Sequence, residues 1–70
     1  MHTGRVKWFD DQKGWGFIAQ EGEAPDVFVH YSVIEVEGHK TLFEGQEVTY
    51  EASDDGRGPR ATLVQPVPEA

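Results

Sequence analysis

Cysteine is absent from the chain, which excludes a disulfide framework and any thiolate zinc site. A small domain without such staples fits a reducing compartment. Long apolar runs are missing too: no segment approaches the roughly 18 apolar residues that span a bilayer. The N-terminal MHTGRVKWF lacks the apolar core of a signal peptide, so a soluble, cytoplasmic protein is expected. Basic residues are scarce, six against thirteen acidic ones, for a net charge of −7. That balance disfavours a nucleic-acid partner at first sight. Its distribution changes the inference. Residues 1–20 hold Arg5, Lys7 and Lys13 against Asp10 and Asp11, whereas residues 21–70 hold three bases against eleven acids. The excess acid lies away from Trp8, Phe9, Trp15 and Phe17.

Seventy residues give a single domain over 1–70, with 66–70 a short frayed tail after Pro66 and Pro68. So short a chain buries only about 60% of its unfolded surface, and a deep enclosed active site would consume scarce core. A surface binding module is favoured. Helical periodicity is nearly absent, and short β-rich runs alternate with turn residues. Strands are predicted over 4–10 (GRVKWFD), 15–21 (WGFIAQE), 26–31 (DVFVHY), 46–54 (QEVTYEASD) and 60–65 (RATLVQ). Ser32 can cap a short helical turn at 33–35. Five short strands in one small chain predict an all-β barrel. Val6, Ile18, Val27, Val29, Ile34, Val48, Ala61 and Val64 form the expected core, which Leu42, Tyr50 and Leu63 can join.

KGWGFI, residues 13–18, poses a problem for that core. Strand side chains alternate between faces, so if Ile18 points inward, Trp15 and Phe17 point out. In DVFVHY, inward Val27 and Val29 leave Phe28 and His30 on the same outer side. The short connection makes the two strands antiparallel neighbours, with facing residues about 5 Å apart. Four rings then form one patch, which Trp8 can extend. A second hydrophobic core covered by the 31–46 segment is the simpler explanation of such a patch. Three features argue against it: Gly14 and Gly16 leave the Trp15 face open, polar His30 sits within the patch, and Lys7, Lys13 and Arg57 border it. Rings offer π-faces to bases and cations offer charge to phosphates, which is what a single-stranded nucleic acid requires.

KGWGFI resembles the first ribonucleoprotein motif of cold-shock domains, and VFVHY the second. GRVKWFD, GHKTLFEGQEV and GRGPRA resemble the same family in order and spacing, so that the likeness covers nearly the whole chain. The resemblance implies a five-stranded antiparallel OB-fold barrel that binds single-stranded RNA or DNA, acts as a nucleic-acid chaperone affecting transcription or translation, and is not an enzyme. On the family pattern, Lys7, Trp8, Lys13, Trp15, Phe17, Phe28, His30 and Tyr31 match nucleic-acid-contacting positions. His39 and Arg57 match two loop positions that also contact the strand, and Phe9 and Asp26 match the platform border. Two departures bear on the outer subsites: Asp10 stands where Asn is usual, and His39 where Phe or Tyr is common.

Other functions have little to stand on. Asp10–Asp11 and Asp54–Asp55 are adjacent turn residues, better read as solvated charge than as catalytic carboxylates. Neither His2, His30 and His39 nor any cysteine supplies metal-ligand spacing. Ser32 lies beside Tyr31 and His30, but neighbouring strand residues face opposite ways. Barrels of this shape also bind oligosaccharides and proteins, yet a cationic rim adds nothing to a sugar site. No cofactor, metal, membrane or small-molecule substrate is expected, and the chain is expected to be a monomer with single-stranded RNA and DNA as partners.

Overall fold

Alternation of branched aliphatic with polar or aromatic residues gives each strand one inward edge, and the inward edges meet in a single barrel. The computed structural model describes residues 2–20, 22, 24–36 and 41–67. Five strands, β1 (His2–Asp10), β2 (Trp15–Ala19), β3 (Val27–His30), β4 (Glu47–Asp54) and β5 (Pro59–Pro66), close in the order β1-β2-β3-β5-β4. One 3-10 turn, Tyr31–Val33, follows β3. The described residues contain no helix long and apolar enough to cross a membrane.

The barrel is not antiparallel throughout. β1–β2, β2–β3, β1–β4 and β4–β5 pair antiparallel, but β3 and β5 run parallel, with Phe28 opposite Arg60. Parity requires this, because five strands closed in a ring cannot all alternate in direction. The connection between β3 and β4 carries the chain across the barrel, so that β4 starts beside β1 and β5 returns alongside β3.

All eight expected core residues are buried, and Leu42 and Tyr50 join them. Leu63 stays half-buried. Its displacement follows from a register shift: Glu51 faces Leu63 while Ala52 faces Ala61, which leaves Thr62 as an extra, exposed residue. Such a bulge lets Ala61 and Val64, three residues apart, both point inward. Of the expected tail, Pro66 and Val67 are described and residues 68–70 lie outside the described residues. β5 includes Pro66, and the Val67 N–H donates to the Glu47 carbonyl at 3.0 Å.

From its described part the 31–46 segment sends aliphatic residues into the inner core instead of over the outer rings. Ile34 and Leu42 are buried in that core, and Val33 and Val36 pack against it. The helical turn begins two residues earlier than its sequence suggests. His30, not Ser32, is its N-cap, with the ring Nδ1 accepting from the Ser32 N–H.

Candidate nucleic-acid interface

The site is built on β1, β2 and β3, and its geometry depends on a defect in β1. Val6 faces Ile18, but the next regular pairing is Trp8 with Phe17, so that Lys7 is an extra residue on β1. Strict alternation from Val6 would have turned Trp8 into the barrel. The bulge turns it outward instead, where it is 38% exposed, and sends Phe9 inward to pack against the core. Phe9 is therefore partly buried against the core, beneath the platform strands.

Trp8, Trp15, Phe17 and Phe28 form a continuous ring cluster. Trp8 meets Trp15 at 5.0 Å and Phe17 at 5.6 Å between centroids. Trp15 lies 6.0 Å from Phe28, and Phe17 5.9 Å from Phe28. Most of these contacts are steeply inclined, with the Trp15–Phe17 planes at 84°. Edge-to-face packing fixes each ring against its neighbours while leaving faces turned to solvent. Trp15 also faces His30 across the β2–β3 ladder. His30 in turn lies 4.5 Å from Tyr31, which is 47% exposed. Alternation along the strands brought Trp15, Phe17, Phe28 and His30 to one surface, with Trp8 as an extension, and the structure places them there; Tyr31, expected only from the family resemblance, joins them through the 3-10 turn.

The flanking glycines have a different purpose from the one their sequence suggests. Gly14 adopts φ +81°, and a Cβ there would lie 2.7 Å from the Tyr31 ring. Its carbonyl accepts from the Tyr31 N–H at 2.8 Å, so the β1–β2 turn seats Tyr31 at the end of the platform. Gly16 points inward and is buried. A Cβ on it would overlap the Trp8 carbonyl oxygen and lie 2.7 Å from Phe9 Cα. Both glycines admit close approach of other groups; neither opens the Trp15 face.

Asp10 organises the same turn. Its Oδ1 accepts from the N–H groups of Gln12 and Lys13, each at 3.0 Å, and the Gly14 N–H donates to its backbone carbonyl. A side-chain oxygen that Asn would also supply thus fixes the turn, and exposed Lys13 is carried on it. His30 Nδ1 accepts from Ser32 N–H and lies 2.9 Å from Ser32 Oγ.

Charge around the rings is more compensated than the sequence implies. Lys7 Nζ reaches across β2 to Asp26 Oδ2 at 2.9 Å, so these two site residues form one ion pair. Arg5 turns toward β4, to the Gly45 carbonyl and Glu47, and does not face the rings. Arg57 lies on the β4–β5 loop, which with Arg60 and Asp55 lines a cleft whose other wall is Phe17 and Phe28. Arg60 is nearer the rings than its place in the sequence suggests, since the parallel β3–β5 contact sets it opposite Phe28. No local pattern could have revealed that adjacency. His39 and Lys40 lie outside the described residues. Among the described residues no group of His, Asp or Glu side chains is arranged to hold a metal ion.

Comparison with known proteins agrees with this geometry. The family model described as the 'Cold-shock' DNA-binding domain matches residues 2–67. Cold shock protein ScoF of Streptomyces coelicolor is 50% identical over 66 residues, spanning 94% of this chain and 98% of its own. Cold shock-like protein CspD of Bacillus cereus is 58% identical over 64 residues, 91% of this chain and 96% of its own. Cold shock protein CspB of Bacillus caldolyticus is 55% identical with the same coverage. An outer face of clustered rings on a closed five-stranded barrel, matched along almost its full length, makes the chain a member of the cold-shock domain family, whose members bind nucleic acid and are not enzymes.

Proposed function

We propose that the chain binds single-stranded RNA or DNA by stacking bases on its outer rings, and thereby acts as a nucleic-acid chaperone affecting transcription or translation. The observation that carries this reading is the cluster of Trp8, Trp15, Phe17 and Phe28, joined by ring contacts and turned to solvent on three adjacent strands. Lys7, Lys13, His30, Tyr31 and Arg57 border it as further contacts, and Asp26 acts through Lys7.

Magnitudes favour stacking over charge. Each base stacked on an aromatic side chain contributes about 1–3 kcal/mol. Among the described residues Lys7, Lys13, Arg57 and Arg60 are placed to meet phosphates, and two of them have carboxylate neighbours. Three or four contacts at about −0.7 each give a log–log salt slope of roughly −2 to −3 for single strands. Duplexes hide their base faces and present phosphates to a chain of net charge −7. Chaperoning needs no further machinery. A base-pair step in a duplex is worth about 1.4 kcal/mol on average, so several captured bases outweigh a short stem without ATP.

Tryptophan fluorescence tests the reading, since both tryptophans lie in the cluster. Short single strands should quench Trp8 and Trp15 with the shallow salt slope above, and the matching duplex should not. A hairpin labelled at its stem ends should open on stoichiometric addition of protein. Failure of every oligonucleotide to quench would overturn the binding reading. Quenching without hairpin opening would overturn only the chaperone activity.

A further inference from the structure

The cleft between the ring cluster and the β4–β5 loop, about 280 Å³ in volume, differs in character from the platform beside it. One wall is aromatic, Phe17 and Phe28. The other carries Asp55, Arg57 and Arg60. Asp55 Oδ2 and an Arg60 guanidinium nitrogen are 3.9 Å apart, with the two side chains 61% and 59% exposed. That separation exceeds a hydrogen bond, so neither group is consumed by the other. They stand side by side as an acceptor-only carboxylate and a donor-only fork, in the cleft that Phe17 and Phe28 also line.

The loop holds these groups in place. Asp54 Oδ1 accepts from the N–H groups of Gly56 and Gly58, at 2.8 and 3.2 Å. The Arg57 N–H donates to Asp55 Oδ1 at 3.2 Å, which orients the carboxylate and leaves Oδ2 and one lone pair of Oδ1 open. Arg60 is fixed at the other end by strand β5, opposite Phe28.

We infer that this cleft is a guanine-reading subsite, in which a base stacked on Phe28 is recognised by Asp55 and Arg60. The inference rests on the stacking reading given above. Its chemical basis is the pattern of each base edge. Guanine alone presents two adjacent donors, N1–H and the N2 amino group, beside two adjacent acceptors, O6 and N7. A carboxylate can accept both donors while an arginine fork donates to both acceptors. Adenine and cytosine each offer a single exocyclic amino donor, and thymine or uracil one N–H between two carbonyls. The remainder of the platform stacks bases on its rings, and its bordering Lys7–Asp26 pair is closed on itself at 2.9 Å, so it tolerates any base. One position of an otherwise tolerant strand is therefore read.

The test is a fluorescence titration with seven-residue oligothymidylates carrying one guanine, placed in turn at each position. In each protein the affinity is compared with that of the all-thymine strand, so the readout is a ratio. One placement should raise that ratio by about fivefold or more, the lower end of what a good bidentate pair gives. Replacing that guanine by inosine, which lacks the N2 amino group, should remove much of the gain, as should 7-deazaguanine, which lacks N7. Asp55→Asn and Arg60→Lys should each bring the ratio close to one, the latter with charge kept and the fork lost. Ratios near one at every placement overturn the subsite while leaving the platform intact. A gain that survives both substitutions also overturns it. Absence of quenching by any strand overturns the platform reading and the subsite together.

Discussion

Strands β2 and β3 carry two unlike apolar surfaces back to back. Inward they present Ile18, Val27 and Val29, none with accessible surface. Outward, from the same residues' neighbours, they present Trp15, Phe17, Phe28 and His30, all part-exposed. A five-stranded barrel is too narrow to enclose large rings in number, and stiff branched aliphatics fill it with little rotamer freedom lost. The outer rings leave much of their surface in water, an arrangement that carries an aggregation cost unless a partner uses it. Hydrophobicity alone therefore does not separate core from site here. Side-chain shape does.

Breaking the inner surface should have the largest effect. Ile18→Ala removes a fully buried side chain, and such truncations cost about 2–5 kcal/mol. A core this small rarely supplies more than about 3–5 kcal/mol in total. Thermal unfolding followed by circular dichroism should show a midpoint lower by about 10 °C or more, or no folded baseline at all. A smaller shift would mean that the barrel collapses around the missing atoms.

Gly16 lies where the two surfaces meet. An added methyl would fall on the Trp8 carbonyl and Phe9 Cα, both backbone atoms that cannot swing aside. Gly16→Ala should cost about 1–3 kcal/mol by overpacking. Because it presses on β1 at the Lys7 bulge, it should also weaken oligonucleotide binding. Loss of stability with unchanged affinity would show that the bulge does not position Trp8.

The bulge marks where the sequence stops being legible. DVFVHY and WGFI read correctly because strict alternation with aliphatics on one side leaves a single register. KWF offers no such guide, since an extra residue in a strand has no local signature and is recognised only from its partner's register. The same holds for Thr62, although two inward residues three apart, Ala61 and Val64, do imply a bulge between them. Direction was also readable in principle. Five strands in a ring force at least one parallel pair by parity, yet which pair depends on the path of the long connection. Arg60 next to Phe28 is a long-range consequence of that path, and Lys7 bound to Asp26 is one of the β1 bulge and of β3 lying beyond β2. The site's rings were thus visible in the sequence, and its electrostatics were not.

Phe28→Ala sharpens the comparison from the outer side. Loss of one stacking ring should weaken single-strand binding by about 1–3 kcal/mol, or roughly 5- to 150-fold. The unfolding midpoint should move far less than for Ile18→Ala, because Phe28 is only half-buried. Parallel titration and melting of the two variants give a crossed pattern, one losing affinity and the other stability. If Phe28→Ala melts as low as Ile18→Ala, the outer rings are a second core and the distinction fails.

Tyr50 supplies the smallest and most specific test, because it is a ring on the inner side. It is 1% exposed, and burial pushes its phenol above the ordinary value of 10.0. The folded chain therefore keeps this proton where the unfolded chain releases it. Below the unfolded pKa both states are protonated and the group has no effect on stability. As pH rises past 10 the unfolded state binds fewer protons than the folded one, so stability falls. Outer Tyr31, at 47% exposure, lacks that enclosure. Melting midpoints measured across pH 10 should decline more steeply for the natural chain than for Tyr50→Phe, which has no proton to lose at this position. Equal slopes would mean that the Tyr50 phenol reaches water, and that the barrel interior is open to solvent at the His2 end, where the two rings meet at 5.4 Å.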